Sequence, residues 1–471
     1  MKFNSQDLKK ALGKTLVSVF NDGKFCGAQL ATDTRAMQKG DFFVPLKGPQ
    51  FDGQHFFSQA LDSGCIGFLF SDPLAEQIRK RVQQQQVAAY QVTDALQALH
   101  QIAVWVRKKI RPTVIALTGS NGKTTVKNLI GWILTQQYPT LYSKKSFNNC
   151  IGVPLTLVAL EKGITHLVLE MGMNHAGEIE QLVHLADPDI VMVLNVSSAH
   201  LGNFPDFKAL VAAKAEMISC SRPDTTLILN KTLRKYASFK KIRRRKRLEF
   251  GSKDSSLFCS CSKVVQEGFR VKMNLTFKGD TFSVEFPGLG VHNAENVAAA
   301  AACCFFLGVD RDTFIKGVRE YTMPEMRMQP VALPNGAWLI NDAYNANPAS
   351  MKAAILALDQ MRGFGKKFLV VGNMNELGKN SRELHQEVGR YVRNTSIDLI
   401  LSIGELAKEI TNEAFKGDGK AALHFEKKEE LSRALKEEVK TGDVVLIKGS
   451  RTNQLETIQQ FLCNQKGIPY V

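Results

Sequence analysis

The sequence predicts an α/β protein of three domains, and three observations carry that reading. Short apolar runs of strand length alternate with stretches of helical apolar spacing over most of the 471 residues. The small-residue loop Gly119-Ser120-Asn121-Gly122-Lys123-Thr124-Thr125 sits between one such run and one such helix. From Gln329 the alternation begins afresh, after a stretch whose strands alternate apolar and polar residues instead. The expected architecture is a small N-terminal α/β domain (1–92) and a central P-loop ATPase-like parallel sheet with an antiparallel insertion (93–326). A C-terminal Rossmann-like domain (327–471) completes it.

In the first unit, residues 42–44 and 66–70 read as strands, punctuated by Gly40-Asp41, Lys47-Gly48-Pro49 and Asp52-Gly53. A charged helix follows over about 94–109 and ends at Arg111-Pro112. Residues 114–117 form a buried-strand run, and the helix opening at Thr124 aligns Val126, Leu129, Ile130, Ile133 and Leu134 on one face. Further runs at 167–169, 190–194 and 227–229, with helical stretches between, predict a parallel sheet covered on both faces. Residues 271–275 and 282–286 alternate apolar with polar, predicting antiparallel pairing within 231–290; an Ala-rich helix over 293–307 closes the domain. The last unit has strand runs at 338–340, 368–371, 399–401 and 444–447, and helices over 350–361 and 382–392.

Hydrophobic residues make up 44% and charged residues 23%, the balance of a soluble globular chain. The net charge of +16 favours an anionic partner: nucleic acid, an anionic surface or a polyphosphate. The run from Lys240 to Arg247 concentrates that charge, and runs of like charge are usually solvated, so it does not by itself predict nucleic-acid binding. Nine cysteines without paired CxxC spacing predict reduced thiols and no zinc site. No charged leader precedes an apolar segment, and no apolar stretch approaches the roughly 18 residues of a membrane span, so a cytoplasmic protein without membrane insertion is expected.

Small residues in the loop let backbone N–H groups converge on phosphate oxygens at a helix N-terminus; Lys123 adds a point charge and the Thr124 hydroxyl suits Mg²⁺. The common loop, GxxxxGK[ST], would need a glycine where this chain has Leu117. The shorter GxxGKTT form argues against a generic kinase, GTPase or helicase. Glu170, Asn195 and Asn230 end neighbouring strand runs, and His200 follows shortly after one. Ligands bind beyond the carboxyl ends of parallel strands, so Glu170 and His200 could both reach a divalent ion near the loop.

With the segments Asn148-Asn149-Cys150-Ile151-Gly152-Val153-Pro154, Glu170-Met171-Gly172-Met173, Ser198-Ala199-His200-Leu201 and His292-Asn293-Ala294-Glu295-Asn296, the chain resembles the Mur ligases over nearly its whole length. Asp342-Ala343-Tyr344-Asn345-Ala346-Asn347-Pro348, Gly372-Asn373-Met374-Asn375-Glu376-Leu377-Gly378 and Lys448-Gly449-Ser450-Arg451 extend the resemblance through the last domain. The Tyr344–Pro348 and Met374–Gly378 segments point to the branch that adds D-alanyl-D-alanine to UDP-N-acetylmuramoyl-tripeptide.

The resemblance implies ATP-dependent amide-bond formation through an acyl phosphate, with Lys123, Lys214 and His200 as catalytic groups. It implies nucleotide contacts by Gly119 to Thr125, Asn296, Arg327, Asp342 and Tyr344, and Mg²⁺ held by Thr124, Glu170, His200 and a carbamylated Lys214. It implies that Thr34, Arg35 and Lys47 lie near the uridine diphosphate, with Asn148, Asn149, Asn345 and Asn347 also serving the substrates, and a monomeric enzyme with no nucleic-acid partner. The chain departs from the family at Asn341, Ala343 and Asn373, where aspartate, serine and aspartate are common, and at Cys150. The rival readings are a related dipeptide ligase, a folylpolyglutamate synthetase, and, from another class, a nucleic-acid-dependent ATPase suggested by the charge. The N-terminal unit and the Tyr344–Pro348 segment argue against the synthetase, and the last reading would need motor motifs, of which none is found.

Overall fold

The computed structural model describes residues 1–48, 51–143, 146–197, 201–240, 246–416 and 421–463. His200 and most of the basic run at 240–247 lie outside the described residues. The described residues build three sheets, each with helices packed on it.

The N-terminal sheet has five strands in the order Leu16–Asn21, Ala88–Val92, Gly67–Phe70, Phe42–Phe43, Leu30–Ala31. All pair in parallel except Leu16–Asn21, which runs antiparallel along Ala88–Val92. That edge strand is absent from the sequence reading because it buries little: Val17 and Val19 both face outward.

The central sheet has nine strands. Thr113–Thr118 lies inside it, between Ile190–Val193 and His166–Glu170, and its side chains alternate between two cores. Val114 and Ala116 face the cluster built by the helices Ala95–Ile110, Gly152–Val158, Glu178–Ala186 and Phe207–Ser219. Ile115 and Leu117 face Lys123–Thr135 and Asn293–Phe306. A period of two on a sheet covered on both faces is what a near-continuous apolar run produces. The antiparallel strands Cys259–Glu267, Arg270–Phe277 and Asp280–Phe286 extend this same sheet, because Cys259–Glu267 also pairs in parallel with Arg247–Ser252. Asp94 caps Ala95–Ile110, its Oδ1 accepting from Gln97 N at 2.7 Å. This helix also packs against Ser5–Leu12, so one apolar cluster runs from the first unit into the second.

The C-terminal sheet has six strands in the order Gln329–Ala332, Trp338–Asp342, Val444–Lys448, Lys367–Val371, Leu399–Ile403, Ala421–Phe425. Only the first pairs antiparallel. Pro348–Gln360 and Ser381–Arg393 cover one face; Lys428–Glu438 and Glu456–Leu462 cover the other. This is the Rossmann-like arrangement expected of the last domain. All nine cysteines are free thiols, and no helix among the described residues is long and apolar enough to cross a membrane.

Candidate active site

Leu117 explains the short loop. It is wholly buried inside Thr113–Thr118, in register with Glu170 on one side and Met192 on the other, so the chain leaves the sheet only after Thr118. Gly122 then turns the chain into the helix Lys123–Thr135 with φ +81°. The positive φ favours glycine there, and a Cβ would lie 2.3 Å from Asn296 Oδ1, so any other residue would also displace the Asn296 side chain.

The loop is braced from the next strand. Asn195 Oδ1 accepts from Ser120 N at 3.1 Å and from Asn121 N at 2.9 Å, while its Nδ2 donates to Asn121 O at 3.0 Å. Ser120 Oγ donates to Ser197 O at 3.1 Å and accepts from Ser197 N at 2.8 Å. Lys123 Nζ donates to Gly119 O at 2.7 Å. Burial lowers the Lys123 pKa; Glu170 opposes that shift and Arg327 adds to it.

Facing the loop, Glu170 is buried and held on both carboxylate oxygens. Oε2 accepts from Thr124 Oγ1 at 2.7 Å and Oε1 from Asn148 Nδ2 at 2.9 Å. Ser146 Oγ lies 3.3 Å from Thr124 Oγ1 and accepts from Arg327 Nη2 at 3.4 Å. The Arg327 guanidinium lies 4.2 Å from the Tyr344 ring centre, and both flanking residues, Met326 and Met328, have positive φ. Asp342 accepts from Lys448 Nζ at 2.6 Å and from Met328 N at 3.1 Å. Asn347 Nδ2 donates to Asn121 Oδ1 at 2.9 Å, tying the C-terminal unit to the loop.

These groups surround a cavity of about 510 Å³. It is lined by Ser120 to Thr125, Asn148, Glu170 and Asn296 from the central unit, and by Arg327, Asp342, Tyr344, Asn345 and Asn347 from the C-terminal unit. The other expected site residues fall elsewhere. Gly119 backs the loop as the acceptor for Lys123. Asn149 turns to its own stretch of backbone, its Oδ1 accepting from Ile151 N at 3.2 Å and from Gly152 N at 2.9 Å. Thr34, Arg35 and Lys47 lie in the N-terminal unit, away from the cavity. There, Arg35 grips Asp33 with two nitrogens, Thr34 Oγ1 donates to Gln59 Oε1 at 2.8 Å, and Lys47 Nζ lies 3.6 Å from Asp52.

Lys214, on the helix Phe207–Ser219, is buried behind the cavity and has no carboxylate ion pair among the described residues. Burial and the nearby Lys123 charge depress its pKa well below the ordinary lysine value.

Sequence reasoning missed Ser146, Lys127 and the pairing of Lys448 with Asp342. Lys448 and Asp342 end adjacent strands in register, a relation between segments far apart in the chain that only the sheet reveals.

The family comparisons agree with this geometry. Residues 28–105 match the Mur ligase family catalytic domain, 117–304 the Mur ligase middle domain, and 326–451 the Mur ligase glutamate ligase domain. The chain belongs to the Mur ligase family. Among Mur ligases it is 34% identical over 432 residues to the UDP-N-acetylmuramoyl-tripeptide–D-alanyl-D-alanine ligase of Bacillus subtilis, covering 91% of this chain and 92% of that one. The Escherichia coli enzyme of the same name is 32% identical over 455 residues, covering 95% and 97%. A crystal structure of MurF from Acinetobacter baumannii superposes with a TM-score of 0.85 at 27% identity, covering 99% of both chains. MurF ligase from Thermotoga maritima in complex with ADP superposes with a TM-score of 0.79 at 26% identity, covering 93% of this chain and 97% of that one.

Proposed function

We propose that this Mur ligase is an acid–D-amino-acid ligase that uses ATP to join D-alanyl-D-alanine to UDP-N-acetylmuramoyl-tripeptide in peptidoglycan synthesis. The observation that carries the reading is one cavity in which Lys123, Thr124 and Glu170 face Arg327 and Asp342, in a chain similar over nine-tenths of its length to ligases of that name. The ADP bound by the Thermotoga maritima relative supports the use of ATP.

In the proposed reaction, the terminal carboxylate of the tripeptide attacks the γ-phosphorus of ATP. The bond from that phosphorus to the β,γ-bridging oxygen breaks, ADP leaves with the electron pair, and an acyl phosphate forms. The amine of D-alanyl-D-alanine then attacks the acyl carbon, inorganic phosphate leaves, and the nitrogen loses a proton. Carboxylate and phosphate are both negative, so positive charge must converge on them. Lys123 and Arg327 supply it from opposite walls, and Asn195 holds the loop in shape for the phosphates.

The Thr124 hydroxyl and Glu170 carboxylate are hard oxygen donors already in contact, a set that fits Mg²⁺. Bound there, Mg²⁺ offsets charge on the phosphate oxygens. A second ion is assigned to His200 and a carbamylated Lys214, as the family resemblance implies. Burial disfavours the Lys214 ammonium. The neutral amine is the form that adds to CO₂, losing a proton and becoming a carbamate with oxygen ligands. Thr34, Arg35 and Lys47 are assigned to the uridine diphosphate end, Asn148, Asn149, Asn345 and Asn347 to the remaining substrate contacts, and residues 1–92, 93–326 and 327–471 to the three substrate-handling domains of a cytoplasmic monomer.

The test is phosphate release with ATP, D-alanyl-D-alanine and UDP-N-acetylmuramoyl-tripeptide ending in diaminopimelate or in lysine. Release that requires all three components supports the reading. Release indifferent to D-alanyl-D-alanine, or driven by DNA or RNA, overturns it.

A further inference from the structure

Lys127 lies one turn beyond Lys123 on the helix Lys123–Thr135, and its side chain is wholly shielded from solvent. Lysine is rarely buried completely unless its ammonium is paired inside the fold. Here Nζ donates to the main-chain oxygen of Ser143, with Ser143 Oγ at 3.2 Å, just past the strand Thr140–Tyr142. Burial lowers the Lys127 pKa to about 8, with Glu170 opposing the shift and Arg327 adding to it, so this ammonium shares an electrostatic environment with the cavity.

What Ser143 leads into gives the contact its meaning. The same stretch of chain carries Ser146, whose hydroxyl touches Thr124 and Arg327, and Asn148, whose amide holds Glu170 Oε1. Asn148 O also accepts from Gly172 N at 2.7 Å, which fixes the far end against the residues following Glu170. Lys127 therefore holds Ser143, three residues before Ser146 in the chain, and Gly172 holds Asn148.

We propose that Lys127 is a positioning residue for ligation: it clamps the Ser143 end of the segment whose Ser146 and Asn148 orient Thr124, Glu170 and Arg327 around the transferring phosphoryl group. This rests on the ligase reading above. The residue touches no reacting atom. Its effect comes through geometry, and small misplacements of groups around a transferring phosphoryl are costly in rate.

The fold supplies a control. Lys367, in the C-terminal unit, is also buried and makes the same kind of clamp, Nζ donating to Asp359 O at 2.6 Å and Ser396 Oγ at 3.1 Å. Like Lys127 it does not itself line the cavity, but no cavity-lining residue lies within three positions of its partners Asp359 and Ser396, whereas Ser146 lies three beyond Ser143.

The experiment compares Lys127→Met, Lys127→Gln and Lys367→Met with the unaltered chain for kcat, for KM of each substrate and for Tm. Lys127→Met is expected to lower kcat roughly 10- to 100-fold while the KM for ATP stays within about threefold. Lys127→Gln, which keeps one donor, is expected to recover part of the loss, and it is the deciding variant if Lys127→Met does not fold. Lys367→Met is expected to lower Tm with kcat within about twofold. The proposal is overturned if the Lys127 variants keep kcat within twofold, or lose no more than Lys367→Met does at a comparable fall in Tm. Failure of the ligase reading shows separately, as no ligation by the unaltered chain with either tripeptide.

Discussion

Glu170 accepts a hydrogen bond on each carboxylate oxygen, and Thr124 is one of the two donors, so the groups proposed to hold Mg²⁺ are pre-set by the fold. Opposite them, Lys123 is the nearest cation on the loop itself, and Lys123→Ala should cut ATP turnover on the order of 10²–10³-fold; near-normal phosphate release would remove the loop from the mechanism. Lys214→Ala should lose activity that a short-chain carboxylic acid partly restores, because the acid returns an oxygen ligand to the space left. Full activity without any additive would end the carbamate assignment. At the other end of the molecule, hydrogen bonds from the Arg35 side chain and backbone pull the Asp33 carboxyl from its ordinary 3.8 down to about 2. A lowered pKa in the folded state means that the contribution of this carboxylate is complete above 3.8 and fades as pH falls towards 2. Arg35→Ala should raise its midpoint in a carboxyl NMR titration, and an unmoved midpoint would assign the shift to the backbone alone. Glu170 was legible in the sequence because a carboxylate ends a strand run, and Thr124 because its hydroxyl follows the loop lysine; Asn148 came only with the family resemblance, as a substrate contact, and its hold on Glu170 is seen only in the fold. Lys127 was not, because a lysine between apolar helix positions reads as a solvated one, and only the fold turns it inward.

At the scale of elements, the apolar runs that were read as strands lie within a residue or two of the observed ones, since a strand covered on both faces has no polar side to disguise it; Ala88–Val92, buried inside the N-terminal sheet, was missed, its alanines and tyrosine making no β-branched run. Two of the three antiparallel strands were legible as strands, Cys259–Glu267 was not, and none was legible as part of the central sheet: alternation reports that one face is wet, and says nothing about which neighbour a strand pairs with. Their turn has a second consequence. Phe269, between Cys259–Glu267 and Arg270–Phe277, packs its ring 4.5 Å from Trp338 and 5.6 Å from Phe364 of the C-terminal unit. Aromatic pairs of this kind contribute about 0.5–1.5 kcal/mol beyond area burial. A double-mutant cycle of Phe269→Ala and Trp338→Ala, read by denaturant unfolding, should therefore show coupling of about 1 kcal/mol. Strict additivity would mean that the hairpin merely rests on the C-terminal unit.

For the whole molecule, three series of strand runs were enough to reveal three sheets, but not how the sheets meet. The contacts that join the central and C-terminal units include single groups far apart in sequence: Asn347 on Asn121, Arg327 on Ser146, Gln266 on Ala357, Phe269 on Trp338. Another is backbone on backbone. Gly202 N donates to Glu376 O at 3.2 Å, and a Cβ on Gly202 would lie 2.4 Å from Gly378 N. In the sequence these are two glycines among 35, with nothing to mark them as partners. Gly202 is not among the residues with positive φ, so alanine suits its backbone and only the approach of Gly378 forbids it. No flexible side chain stands there to give way, so in Gly202→Ala one unit must move off the other. The cavity is walled from both units, and its ligation chemistry depends on their approach. Gly202→Ala should raise the radius of gyration in solution scattering and lower kcat roughly tenfold or more, with little change in the Tm of the central unit. A scattering profile and kcat matching the unaltered chain would show that this contact plays no part in bringing the two walls of the site together.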